Sequence, residues 1–297
     1  MSAAVPISAR LLRLAVFGAA VVGAIAGLGA LWFHLTSDPL ADVRAYHDAA
    51  VRLDAGLPLN PPGADTNLAD FYRYPPLLAI VLRPFASLPY AVFAAGWETL
   101  IVAAFVATVV GLLRGASAAA RARTWLAVGI LGFPIAWAVS IGQAHVLVTL
   151  LLTIGRPWSI ALAANLKLTP ALAALWWLGR GDRRPVLRFL AWLAGLVAIQ
   201  VVLEPTGSVA YLGAAGFGQV GDVRNISPFA VSPWLWAGLV TLGAVVVVRL
   251  APTRWGWPAA ATLAALATPR LLVYMLMGLL AGVREPGRTV DPDGDRR

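Results

Sequence analysis

Twice in its first 113 residues the chain runs for about 20 residues with almost no charge. The runs are Leu14 to Phe33, and Tyr90 to Leu113 with Glu98 near its start. An α-helix of that length crosses the hydrocarbon core of a bilayer. Further apolar runs follow, at Trp125–Val139, Val146–Ile154, Val186–Leu203, Trp234–Val248, Trp257–Ala267 and Leu271–Val283. Only 12% of the residues are charged, whereas soluble domains carry about 25%. A single soluble core is therefore excluded. The expected fold is an all-α polytopic membrane protein, a bundle of about 8–9 hydrophobic segments. Residues 1–283 read as one integral-membrane domain and residues 284–297 as a polar cytoplasmic tail.

The first run is too long for a signal-peptide core and reads as an uncleaved helix with its N-terminus inside. Tyr74–Pro89 is short and interrupted at Arg83-Pro84, which suits a helix lying along the outer surface. Trp158–Leu178 is long enough to span, but Lys167 and Pro170 sit mid-way. Because proline removes a helix hydrogen bond, a broken, re-entrant pair with Lys167 near its apex is the expectation.

Charge placement supports this order. The net charge is +9, and Lys167 is the one lysine among 23 basic residues. In the topology above 16 arginines fall inside and six (Arg44, Arg52, Arg73, Arg83, Arg224, Arg270) outside, in keeping with the positive-inside tendency. The basic balance thus reports a lipid bilayer as partner, with no nucleic acid. There is no cysteine, which excludes disulfides and thiolate chemistry. Three histidines (His34, His47, His145) do not make a metal site, and no metal or cofactor is expected. No internal repeat supports an inverted-repeat transporter.

The long polar stretch between hydrophobic segments is residues 36–76, inside a first outer loop (36–89) that carries interfacial helices. It holds six of the 14 acidic residues: Asp38, Asp42, Asp48, Asp54, Asp65 and Asp70. Long ordered loops are more often functional than spacers. Asp42 lies just past the first span with Tyr46 one helical turn on, where a carboxylate has access to a hydroxyl proton. Asp38 and Asp48 compete; their structural alternatives are a helix N-cap and a solvated helix face. Lys167, inside an apolar segment, carries an insertion penalty of about 2.5–3.5 kcal/mol, and such residues are functional by default. A structural pair with Glu98 or Glu204 is its alternative. Arg270, at the outer start of the last segment, is a second cation suited to a lipid phosphate; interfacial anchoring is the other reading. Gln143 and Asn225 stand on outer turns, as sugar contacts or turn caps. His145 reads as an interfacial side chain.

Together these residues resemble glycosyltransferase family 87. The resemblance rests on D-x3-Y-x9-G at Asp42, Tyr46 and Gly56, on YPP at Tyr74–Pro76, and on Gly142-Gln143. It continues through Lys167-Leu168-Thr169-Pro170 and Asn225-Ile226-Ser227, in order from about Asp42 to Tyr274. The resemblance implies a GT-C-like bundle and an inverting mannosyltransferase with Asp42 as general base. It implies a polyprenyl-phosphate-mannose donor whose phosphate is held by Lys167 and Arg270. Tyr46, Tyr74, Gln143 and Asn225 would line the sugar sites, and the acceptor would be a glycolipid or envelope glycan. The Ala- and Arg-rich composition suits a GC-rich bacterium, so the expected location is the bacterial plasma membrane, with the active site on its outer face. Two other readings are a lipid or sugar-lipid transporter, which would string charges along a pathway rather than collect them on one face, and an inactive protein of the same fold.

Overall fold

The computed structural model describes residues 7–65, 71–211 and 224–286, and among these every regular element is helical. In chain order the α-helices are α1 Ile7–Ser37, α2 Ala41–Asp54, α3 Pro76–Leu82, α4 Tyr90–Leu113, α5 Ala118–Ile130, α6 Gly132–Ser140 and α7 His145–Ile154. They continue as α8 Pro157–Leu166, α9 Leu175–Gly179, α10 Arg183–Leu203, α11 Pro205–Ala210, α12 Pro233–Leu250 and α13 Gly256–Leu266. The 3₁₀ helices Thr169–Ala174 and Val273–Val283 precede α9 and close the bundle. Asp70 lies outside the described residues.

Four of these helices, α1, α4, α10 and α12, are long and apolar enough to cross a membrane. A fifth crossing is counted if α5 and α6, bent by 64°, form one span. Not all of the expected 8–9 hydrophobic segments reach spanning length among the described residues. The apolar runs at 146–154, 257–267 and 271–283 are helical, but α7 and α13 have 10 and 11 residues. At 1.5 Å per residue they reach about 15–17 Å, roughly half of a 30 Å hydrocarbon core. The 11-residue 3₁₀ helix Val273–Val283 reaches about 22 Å. The expected Trp125–Val139 crossing breaks at Leu131, before Gly132 and Pro134, where proline removes a backbone donor.

The long helices surround the short ones. Trp32 on α1 and Trp234 on α12 are 74% and 87% exposed, apolar surface of the kind that lipid covers. Ile160, Leu152, Trp257, Met277 and Leu280, on α7, α8, α13 and the last 3₁₀ helix, are fully buried. α1 is joined to the bundle through α5 and α6 by glycines. A Cβ on Gly27 would lie 2.6 Å from the Gly132 carbonyl oxygen, and one on Gly23 would strike that of Gly129. The backbones meet where side chains are absent.

The segment from Trp158 to Leu178 is broken at Lys167. α8 ends at Leu166, and Lys167 is extended at φ −147°, ψ 135°. The 3₁₀ turn with Pro170 and the five-residue α9 follow. α2 stops at Gly56, whose φ of +69° suits glycine, so the glycine of the D-x3-Y-x9-G pattern ends a helix. At one end of the bundle meet the corner between α1 and α2, the turn between α6 and α7, the break at Lys167 and the turn at residues 268–271.

Candidate functional site

These elements enclose a cavity of about 400 Å³. Asp42, Tyr46, Arg73, Tyr74, Gln143, Lys167, Arg224, Arg270 and Tyr274 line it. Of the seven residues to which the family resemblance gives a role, six are therefore brought together, from segments up to 228 positions apart.

Asp42 is placed by a corner. Leu40 takes the left-handed conformation (φ 54°) just before α2, a strained position for a residue with a Cβ. The amides of Leu40 and Asp42 bond to the carbonyls of Ser140 and Ile141 at 3.1 and 3.2 Å. Helix α2 is thereby pinned on the C-terminal end of α6. The next turn supplies the partner of the carboxylate: Gln143 Nε2 donates to Asp42 Oδ2. Gln143 Oε1 accepts from Tyr46, at 3.1 Å, and from Tyr74. The Tyr46 oxygen in turn accepts the Ala144 amide at 3.2 Å. Gly142 makes this turn possible at φ +68°, and its carbonyl takes the Trp97 indole N–H at 2.7 Å. Gln143, a turn residue in the sequence, is thus 3% exposed and joins three site side chains.

Burial pushes the Asp42 carboxyl up to about 6, against the opposing pull of Arg73, Lys167, Arg270 and Arg224. Lys167 stands at the break between α8 and the 3₁₀ turn, outside the long spans. Its ammonium lies 5.5 Å from the Tyr74 ring and 5.6 Å from that of Tyr274. Nζ is buried and makes no hydrogen bond among the described residues. Burial lowers the ammonium to about 7, with Asp42 opposing. A buried cation that among the described residues meets two ring faces and no hydrogen-bond acceptor, opposite a carboxylate, is prepared for an anion from outside the chain. The pairing of Lys167 with Glu98 or Glu204 is not found: Glu98 Oε2 has no hydrogen-bond partner among the described residues, and Glu204 caps Gly207.

Arg73 and Arg224 were missed in the sequence as site residues. Arg73 follows an anchored residue: Asn60 brackets the backbone of Tyr72 at 2.8 and 3.1 Å, and the Tyr72 hydroxyl ties Pro75 and Ala79 at 2.8 and 3.0 Å. Of the six arginines expected outside from the sequence, three meet in this cavity, and the positive-inside count that set them apart was the available signal.

Asn225 stands apart. It does not line the cavity. Its Nδ2 donates to the Pro269 carbonyl at 3.0 Å, and its Oδ1 accepts from Ser227 and Leu271, both at 2.9 Å. It staples the turn that presents Arg270. Asp38 is no N-cap, since the cap of α2 is Leu40; Asp38 bonds His34 at 2.7 Å. Asp48 is exposed beside His47. His145, expected at an interface, is 4% exposed and bonds the Met275 carbonyl at 3.0 Å.

Among proteins already known, the sequence profile described as glycosyltransferase family 87 matches residues 71–282. The polyprenol-phosphate-mannose-dependent alpha-(1-2)-phosphatidylinositol pentamannoside mannosyltransferase of Mycolicibacterium smegmatis is 35% identical over 191 residues. That match covers 59% of this chain and 46% of the relative, about half of the relative's length. No solved structure matches.

Proposed function

The chain belongs to glycosyltransferase family 87, and with four or five apolar helices of spanning length it is a multi-pass membrane protein; from that premise we propose that it moves mannose from polyprenyl-phosphate-mannose to a glycolipid or envelope glycan at the outer face of the plasma membrane, with inversion. The observation that carries the reading is one cavity with a hydrogen-bonded carboxylate, Asp42, facing a buried ammonium without a hydrogen-bond partner, Lys167.

In this reading an acceptor hydroxyl oxygen attacks the anomeric carbon of the donor. The bond from that carbon to the phosphate oxygen breaks, and its electron pair leaves on the phosphate. Asp42 takes the hydroxyl proton as the new glycosidic bond forms. Lys167 and Arg270, with Arg73 and Arg224 beside them, hold the phosphate and neutralise the charge that grows on it in the transition state. Gln143 donates to the carboxylate and favours its ionised form, and Tyr46 and Tyr74 hold Gln143. The carboxyl at about 6 is ionised at neutral pH yet basic enough to accept a proton. The 35% identical polyprenol-phosphate-mannose-dependent mannosyltransferase of Mycolicibacterium smegmatis supports the donor.

The test is transfer of radiolabelled mannose from polyprenyl-phosphate-mannose into membrane lipid, wild type against Asp42→Asn. Transfer by wild type alone supports donor, reaction and base. Full transfer by Asp42→Asn refutes the base. No transfer by folded wild type refutes the donor.

A further inference from the structure

One wall of the cavity plays no part in the steps above. His34, in the last turn of α1, is 7% exposed. Its Nδ1 bonds Asp38 Oδ1 at 2.7 Å, and its ring stacks on Trp137 of α6, with centroids 5.1 Å apart and planes at 22°. Phe33 meets the histidine edge-on at 5.2 Å. All four residues line the cavity. Trp137 in turn meets Tyr274 edge-on at 6.0 Å, and the Tyr274 face is 5.6 Å from the Lys167 ammonium. The wall thus runs from the cation, across two aromatic rings, to a histidine–carboxylate pair.

We propose that Trp137, His34 and Asp38 form the acceptor-sugar subsite and that it takes a hexopyranoside. The proposal rests on the glycosyl-transfer reading of the same cavity. An inverting displacement places the leaving phosphate and the incoming hydroxyl on opposite faces of the anomeric carbon. With the phosphate at Lys167, the acceptor belongs at the far end of the wall. That end has the chemistry of a sugar: an aromatic face for the apolar C–H side of a pyranose ring, and a carboxylate and an imidazole for its hydroxyls. With Nδ1–H donated to Asp38, Nε2 is left to accept a hydrogen bond from a sugar hydroxyl. Asp38 is half-exposed, which suits an entry point for a headgroup from outside. The corner that sets Asp42 on the carbonyls of Ser140 and Ile141 also joins the α1 end to the helix of Trp137, so base and subsite share one frame.

The experiment uses the full chain in detergent, with octyl α-mannoside and octyl α-glucoside as probes. Binding of each is measured by calorimetry without donor, and acceptor and donor KM are measured with polyprenyl-phosphate-mannose. The variants are Trp137→Leu and the conservative Asp38→Asn, the latter leaving packing intact. Expected is a rise of about tenfold in the octyl mannoside Kd and acceptor KM, with donor KM unchanged. A change in donor KM instead assigns the wall to the donor sugar and overturns the proposal. So does loss of kcat at unchanged Kd, or wild type that binds neither glycoside. If wild type binds glycoside, the variants bind less, and no mannose is transferred, the subsite stands and the donor reading fails.

Discussion

Replacing Gln143 with alanine removes a side chain that donates to Asp42 while leaving the carboxylate, the cations and the acceptor wall in place. The amide hydrogen bond favours the ionised carboxylate, so its loss raises a carboxyl already at about 6. A hydrogen bond to a charged group contributes about 1.5–3 kcal/mol, which is about one to two pKa steps at 1.36 kcal/mol each. Water entering the space left by the side chain restores part of this, so the acid limb should move to about 7. At pH 6 the ionised fraction then falls from about one half to about one tenth, and at pH 7 from about nine tenths to about one half. The assay is acceptor-varied kcat/KM at saturating donor, whose phosphate keeps Lys167 charged. Activity should drop about fivefold at pH 6 and about twofold at pH 7, and recover by pH 9. Gln143→Glu keeps the acceptor for Tyr46 and Tyr74 but sets a second carboxylate beside Asp42, and should move the limb further. An equal loss at every pH, with the limb unmoved, would refute the reasoning.

Asp42→Asn should abolish transfer yet stabilise the protein at pH 8. A carboxyl raised from 3.8 to about 6 favours folding below its unfolded value and loses that contribution as pH rises through 6. The ionised form is then up to about 3 kcal/mol less stable than an unshifted carboxylate. Thermal midpoints in detergent should separate at pH 8 and converge below pH 4. Lys167→Met should likewise raise the midpoint, because it removes a buried ammonium without a hydrogen bond, while lowering donor kcat/KM by at least about 30-fold, a loss of about 2 kcal/mol or more. In wild type, donor kcat/KM should fall as pH rises past about 7, where Lys167 loses its proton. Gly142→Ala puts a Cβ at positive φ and into Val43; a destabilisation of about 2 kcal/mol or more by thermal melting is expected.

The class of fold was legible in the sequence because lipid imposes it locally: the long runs at α1, α4, α10 and α12 needed no tertiary information to be recognised as spanning length. The break at Lys167 was equally local, since Pro170 and a buried charge both oppose a continuous helix. Asp42 and Tyr46 were legible as a pair because one helical turn separates them. Apolar composition did not separate the helices of spanning length from the shorter ones packed among them. α7, α13 and the last 3₁₀ helix are as apolar as true spans, because packing against other helices demands the same side chains as packing against acyl chains. Composition cannot separate those environments. What only tertiary structure decided was which polar groups meet. Arg73, Arg224 and Tyr274 enter the cavity from three distant segments, and Asn225 is drawn out of it because its amide is held by the backbone of the Arg270 turn. The sequence by itself determined the helices and supplied the charged groups; the partnering of Gln143 with Asp42, 101 residues apart, and the facing of Asp42 by Lys167 are long-range contacts that no local pattern encodes.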